Sequence, residues 1–149
     1  WITSTFVGTV RQVCTEERYR TRGGRFHDWH GTFPDYLDAV LGEALRHGWD
    51  TRTACEAWQS GAYLLETVPS VLWILANHLH DPEEAIVRAV NDTQDNDTVA
   101  AIVGAAVGAL HGAAVLPARW RMGLLGRTQA ADDGRVFQLV EAAVRREWG

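Results

Sequence analysis

Apolar side chains recur along this chain every three to four positions, and nowhere do they alternate with polar ones over the length of a strand. Phe6, Val7, Val10 and Val13 suggest the end of a helix within residues 1–14. Residues 34–47 gather Leu37, Val40, Leu41, Ala44 and Leu45 on one face, and Gly48 supplies the stop. Thr53-Ala54-Cys55-Glu56 has the form of a capping box and predicts a short helix, which Ser60-Gly61 interrupts. Thr67, with Pro69 in the first turn, predicts a further start for a helix carrying Val68, Val71, Leu72 and Leu75 inward. Asp81-Pro82-Glu83-Glu84 repeats the start signal ahead of Ile86, Val87 and Val90. Residues 117–125 read as a short amphipathic turn with Trp120. Residues 135–148 read as a last helix with Val136, Phe137, Val140, Ala143 and Val144 inward. The pattern predicts an all-α chain, a single domain over residues 1–149.

Residues 99–116 are almost wholly apolar, with His111 the one polar side chain. A membrane span needs about twenty strongly apolar residues, and much of this stretch is Ala and Gly. Ala100, Gly104, Gly108 and Gly112 repeat every four positions, a smooth stripe for a neighbouring helix. Gly in a helix costs about 1 kcal/mol against Ala, so the stripe predicts a packing demand and a buried central helix. His111 reads as a satisfied core histidine.

Composition changes this picture little. The length of 149 residues suits one soluble domain with a core, and a net charge of −5 argues against a general nucleic-acid binder without removing nucleic acid from the possible acceptors. Two cysteines, Cys14 and Cys55, are too few for a disulfide scaffold; with no signal peptide or basic targeting segment in view, the expectation is a cytoplasmic protein that meets no membrane. The chain opens on Trp1 without an initiator Met, which suggests a piece of a longer product.

Candidate chemistry centres on Asn91-Asp92-Thr93-Gln94-Asp95-Asn96-Asp97-Thr98. Three carboxylates precede an apolar helix, where uncompensated charge is costly. A helix N-terminus offsets part of it and a bound cation would offset more. In an extended lead-in Asp95 and Asp97 point the same way, with the Thr98 hydroxyl one position on. Such oxygen-only donors suit Mg²⁺ or Mn²⁺. The commoner use of Asp and Thr here is helix capping. An EF-hand is excluded, because Val99, Ala100 and Ala106 fall where it needs an oxygen ligand, a Gly and a Glu.

Elsewhere, Arg18, Arg20, Arg22 and Arg25 surround Gly23-Gly24 within the polar loop of residues 15–33. Such a cluster can hold a phosphate or diphosphate, though charge runs mostly face water. His27 and His30 lack a second matching pair, so hydrogen bonding or packing outranks a zinc site. Ser60, Gly61 and Tyr63 could set a hydroxyl and bare backbone against a ligand, or form a helix joint with a core Tyr. Asp132 and Asp133 read as charges complementing the dipole of the last helix.

Residues 58–120 carry a set of segments that together resemble the C-terminal half of the ADP-ribosylglycohydrolase family. They are Ser60-Gly61-Ala62-Tyr63, Glu66-Thr67-Val68-Pro69, Asp81-Pro82-Glu83-Glu84-Ala85, Asp95-Asn96-Asp97-Thr98, the Gly/Ala run 104–109 and Leu116-Pro117-Ala118-Arg119-Trp120. That family includes dinitrogenase-reductase-activating glycohydrolases and ADP-ribosylarginine and ADP-ribosylserine hydrolases. The resemblance implies an orthogonal multi-helix bundle around the Gly/Ala-rich helix. It also implies a magnesium- or manganese-dependent glycosidase that removes ADP-ribose by cleaving an N- or O-glycosidic bond. Two divalent cations would take part of their ligands from Asp95, Asp97 and Thr98, with Asp95 and Asp97 catalytic. Ser60, Gly61 and Tyr63 would contact the ADP-ribosylated substrate.

The chain departs from the family at one point. The family's Gly-Asp-Ala-x-Gly start and Thr-Asp-Asp-Thr motif are absent. The expectation is therefore half of a dinuclear site, inactive alone and partnered by a missing N-terminal segment of the same fold. The rival expectation is a non-catalytic all-α scaffold, or a nucleotide- or protein-binding relative that has lost half of its metal site.

Overall fold

The computed structural model describes residues 2–14, 16–121 and 135–148. The chain divides into two compact units, residues 1–115 and residues 116–149. In chain order the first unit contains α1 (Ile2–Val13), β1 (Arg18–Arg20), β2 (His30–Thr32), α2 (Phe33–His47), α3 (Thr51–Trp58), α4 (Leu64–His78), α5 (Pro82–Asn91), α6 (Asn96–His111) and a 3₁₀ turn, Ala113–Val115. The second contains α7 (Arg135–Trp148). The architecture is all-α apart from one small hairpin.

That hairpin was not foreseen. β1 and β2 pair antiparallel with Tyr19 opposite Gly31, within the stretch read as an irregular loop. Strands of three residues are too short for alternation to show in the sequence. Tertiary contacts fix them: Tyr19 packs edge-on against Phe33, with ring centroids 6.1 Å apart. A Cβ at Gly31 would sit 2.8 Å from the Trp29 ring, so Gly is required there.

Two apolar clusters share α4. One face of α4 packs with α1, α2 and α3 around Tyr36, Leu37, Val40, Cys55, Trp58 and Leu65. The other packs with α5 and α6 around Ile74, Ala85, Ala89, Val99, Val103 and Val107. The helix buried on most sides is therefore α4, and the expected central place of the Gly/Ala helix needs correction. α6 buries Val99, Val103 and Val107, while Ile102 and Leu110 are exposed. A Cβ on Gly104 would meet Ile86 Cδ1 at 3.9 Å, an ordinary contact, and one on Gly108 would meet nothing within 4 Å. The close surface between α5 and α6 is instead built from Ala85 and Ala89 against the three valines. Ala and Gly remove little apolar area from water, so large side chains decide which helix sits inside. Here these are Leu65, Leu72, Trp73 and Ile74 of α4.

Two helix starts also shift. α3 begins at Thr51 with Asp50 as N-cap, its carboxylate accepting the Thr53 amide at 2.8 Å; Thr53 is already inside the helix. α4 begins at Leu64, with Tyr63 as N-cap and Pro69 within the helix. Thr67 is not a cap: its hydroxyl donates to the Gly61 carbonyl at 2.9 Å. The Asp81 start of α5 and the Gly48 stop of α2 are found as expected. His111 Nε2 lies 2.8 Å from the Leu79 carbonyl, so the histidine is satisfied, but it is half-buried rather than in the core. His30 and His27 bond to Asp28, its carbonyl and its carboxylate respectively. Among the described residues no helix is long and apolar enough to cross a membrane.

In the second unit, the amides of Trp120 and Arg121 return to the Pro117 carbonyl, closing the turn expected after Leu116; residues 122–125 lie outside the described residues. In α7, Val140, Ala143 and Val144 were expected inward and are exposed, as is Leu139. No described element of that unit covers this stripe. The side chains of Val136 and Phe137, and Asp132 and Asp133 altogether, lie outside the described residues.

Candidate metal centre and the joint that positions it

Three helices start at an aspartate, and the three carboxylates are used differently. Asp50 and Asp81 each accept an amide of their own helix, at 2.8 and 3.0 Å, which is the ordinary work of an N-cap. Asp95 heads α6 and makes no side-chain cap bond. Its Oδ2 is buried without a hydrogen-bond partner. A buried carboxylate oxygen left in this state costs free energy that its surroundings normally remove. The capping explanation therefore fails for Asp95, although it holds for the other two.

Asp97 follows in the first turn of α6 and is exposed. Helix α6 begins at Asn96, so the two acids do not share the expected extended lead-in. They still meet, because a hydrogen bond between the Asp95 and Asp97 carboxyls is the largest cause holding Asp97 below the usual carboxylate range. The Thr98 amide, 2.9 Å from Asp97 Oδ1, adds to it. Thr98 itself is exposed. Two carboxyls in contact beside an orphaned oxygen form a donor set that a hard cation fits. Among the described residues no group of three or more His, Cys, Asp or Glu side chains gathers at one point, so the acids stand as a pair.

The pair is held by the joint between α3 and α4. Ser60 is buried; its carbonyl accepts the Asp95 amide at 2.9 Å and its hydroxyl accepts the Gln94 amide at 3.0 Å. Sequence reading proposed Ser60 and Asp95 for separate reasons, and the fold brings them together. The joint itself is tightly wound. Gln59 has φ +57°, a left-handed conformation uncommon outside Gly. The Gly61 amide returns to the Gln59 carbonyl at 2.6 Å, and the Tyr63 amide to the Gly61 carbonyl at 3.0 Å. Strain of this kind gathers where surrounding structure overdetermines a backbone.

A Cβ at Gly61 would lie 2.6 Å from Glu66 Oε2, so a side chain there would have to displace the Glu66 carboxyl. Glu66 is buried on α4, its carboxyl raised above the usual range by burial, with Arg22 and the Gly61 amide opposing that rise. The signal for Glu66 in the sequence is that of a lone acid in the apolar run of α4. Tyr63 lies against the hairpin loop, donating its hydroxyl to the Arg20 carbonyl at 3.0 Å.

A family model described as ADP-ribosylglycohydrolase matches residues 6–147. The chain belongs to the ADP-ribosylglycohydrolase family. It is also 38% identical, over 64 residues, to the ADP-ribosylarginine hydrolase Tri1 of Pseudomonas putida (strain GB-1). That stretch spans 42% of this chain and 16% of the relative's length. No solved structure matches. In this chain the Asp95-Asn96-Asp97-Thr98 segment lies inside the family region, residues 6–147, and one oxygen of its first carboxylate is buried without a hydrogen-bond partner.

Proposed function

We propose that this chain contributes to a divalent-cation-dependent hydrolase that removes ADP-ribose from a modified acceptor by cleaving an N- or O-glycosidic bond. One observation carries the reading: Asp95 stands at a helix start with a buried oxygen that no amide takes, while Asp50 and Asp81 in the same setting are engaged. Family membership and a relative named for ADP-ribosylarginine hydrolysis support the substrate class, and ADP-ribosylated arginine is the acceptor to test first.

In this reading Asp95, Asp97 and Thr98 hold part of the shell of two Mg²⁺ or Mn²⁺ ions. When bound, such ions supply Lewis acidity and a water of lowered pKa. The chain's own residues do the positioning. Ser60 fixes Asp95 through both its carbonyl and its hydroxyl-bound neighbour Gln94. Gly61 offers bare backbone to the sugar, and Tyr63 closes the side nearest the hairpin. The transition state at the anomeric carbon has oxocarbenium character, and Asp95 and Asp97 would offset part of the ions' positive charge beside it. Two acids and a threonine are fewer donors than a dinuclear site requires, so activity needs ligands beyond those three residues. The 149-residue chain alone is then expected to be inactive.

Thermal unfolding with added Mg²⁺ or Mn²⁺ tests this. Ligand at a hundredfold its Kd adds about 2.7 kcal/mol to stability, a shift of several degrees. Wild type should show the shift, Asp95→Asn should lose it and Asp81→Asn should keep it. The sparse donor set favours the rival reading of a non-catalytic relative. A wild-type response unchanged by Asp97→Ala and Asp95→Asn would move the assignment there.

A further inference from the structure

The four loop arginines are exposed, as a charge run facing water would be, but the backbone of the loop is tied down. The Arg25 amide donates to the Ala57 carbonyl at 2.7 Å, tying the loop to the last turn of α3. Gly24 sits at φ +70°, where a Cβ would lie 2.6 Å from the Ala57 carbonyl oxygen, and a Cβ at Gly23 would strike the Gln59 side chain at 2.6 Å. Gly24 is thus required for the loop to seat on the joint that holds Asp95, whereas a side chain at Gly23 would have only the flexible end of Gln59 to displace. Two loop arginines have engaged side chains or neighbours: Arg25 pairs with Glu43 at 3.0 Å and lies over Trp49, and Arg18 acts on Asp35.

Arg22 is placed otherwise. Its guanidinium lies over the Tyr63 ring, 4.0 Å from the centroid, within the range of a favourable cation–π contact. Stacking fixes the plane of the guanidinium and leaves its N–H edge available, the geometry that grips phosphate oxygens in a bidentate manner. Arg22 is exposed, and among the described residues no carboxylate lies within ion-pair distance of it. Glu66, the acid nearest in effect, is buried and takes the Gly61 amide. Tyr63 is itself pinned at the Arg20 carbonyl and follows Ser60-Gly61-Ala62 directly. The platform therefore stands two residues along the chain from the Gly61 backbone and is continuous with the Asp95 tether.

From this geometry we propose that Arg22, presented on the Tyr63 ring, is an anion-gripping residue that binds the phosphates of a nucleoside-diphosphate-type ligand. It rests on the hydrolase reading above for the identity of that ligand, ADP-ribose. The hard-cation donors Asp95 and Asp97 take the sugar end, and Arg22 takes the charged linker.

Calorimetric titration of the 149-residue chain with ADP-ribose, inorganic pyrophosphate and adenosine tests it, each at low and at physiological salt. Arg22→Gln should weaken ADP-ribose and pyrophosphate by roughly tenfold to a hundredfold, the range of a lost charge-assisted pair. It should also flatten the salt dependence of binding, leave adenosine unchanged and preserve the unfolding temperature. Arg22→Lys, which keeps the charge without the planar fork, should recover part of the pyrophosphate affinity. Equal binding of both phosphate probes by wild type and Arg22→Gln overturns the proposal and leaves the hydrolase reading intact. Arg22-dependent binding of pyrophosphate without ADP-ribose sustains the grip and sinks the hydrolase reading. A wild-type chain that takes neither phosphate probe overturns the grip.

Discussion

The Ser60 carbonyl accepts the Asp95 amide at 2.9 Å, a bond between residues 35 positions apart that carries the start of α6 to the α3–α4 joint. Beside it the Ser60 hydroxyl takes the Gln94 amide, so one buried serine fixes the approach to Asp95 twice. The orientation of Asp95, and with it the orphaned Oδ2, follows from this tether.

Removing the hydroxyl should loosen that approach. Ser60→Ala deletes one acceptor and leaves the main-chain bond, so chemical denaturation should show a loss of about 1 kcal/mol. The cation-induced shift in unfolding temperature should shrink with it. A variant as stable and as cation-responsive as wild type would show that the serine only fills space.

Gly61 and Glu66 should prove energetically coupled. A methyl at Gly61 lands 2.6 Å from Glu66 Oε2, so Gly61→Ala has to displace the carboxylate that its own amide binds. Gly61→Ala should cost about 1 kcal/mol with Glu66 present and less in a Glu66→Ala background. Additive costs in the double-mutant cycle would place the two outside contact.

Glu66 also gives stability a pH signature. Burial raises its carboxyl in the folded chain above the ordinary glutamate value of 4.5, so the folded state holds the proton more tightly than the unfolded state. The sign is therefore the reverse of an ordinary salt-bridged acid: its contribution favours folding at low pH and is lost as pH rises from about 4.5 through the raised value. Glu66→Gln, which keeps an acceptor for the Gly61 amide, should be more stable than wild type at pH 7, with the difference vanishing toward pH 4. Parallel stability curves across that range would refute this.

The two cysteines should differ in reactivity. Cys55 is buried and its thiol is pushed up to about 12 by desolvation, against a weaker opposing hydrogen bond with Ser70. Cys14 is only partly buried. Because the thiolate is the reacting form, iodoacetamide at pH 8 should label Cys14 in the native chain and Cys55 only after denaturation. Above pH 9 the unfolded chain releases the Cys55 proton that the folded chain retains, so stability should decline there as pH rises toward 12. Prompt native labelling of Cys55 would contradict its burial.

What the amino-acid order determined by itself was local. The 3.6-residue period gave an all-α chain, Asp81-Pro82 gave the start of α5, and Gly48 gave the end of α2, because these signals act within one helical turn. The Asp95-Asn96-Asp97-Thr98 segment and the family resemblance were likewise legible as a short motif. Tertiary structure decided the rest. Leu65, Trp73 and Ile74 placed α4 rather than the glycine-striped α6 at the centre, since buried area depends on what faces each helix. Thr67 lost its expected capping role because the Gly61 carbonyl, brought near by the joint, took its hydroxyl. Three aspartates that look alike in sequence became two caps and one unpaired oxygen. That difference depends on backbone angles fixed by a partner at Ser60, far along the chain, and no pattern of neighbouring residues records it.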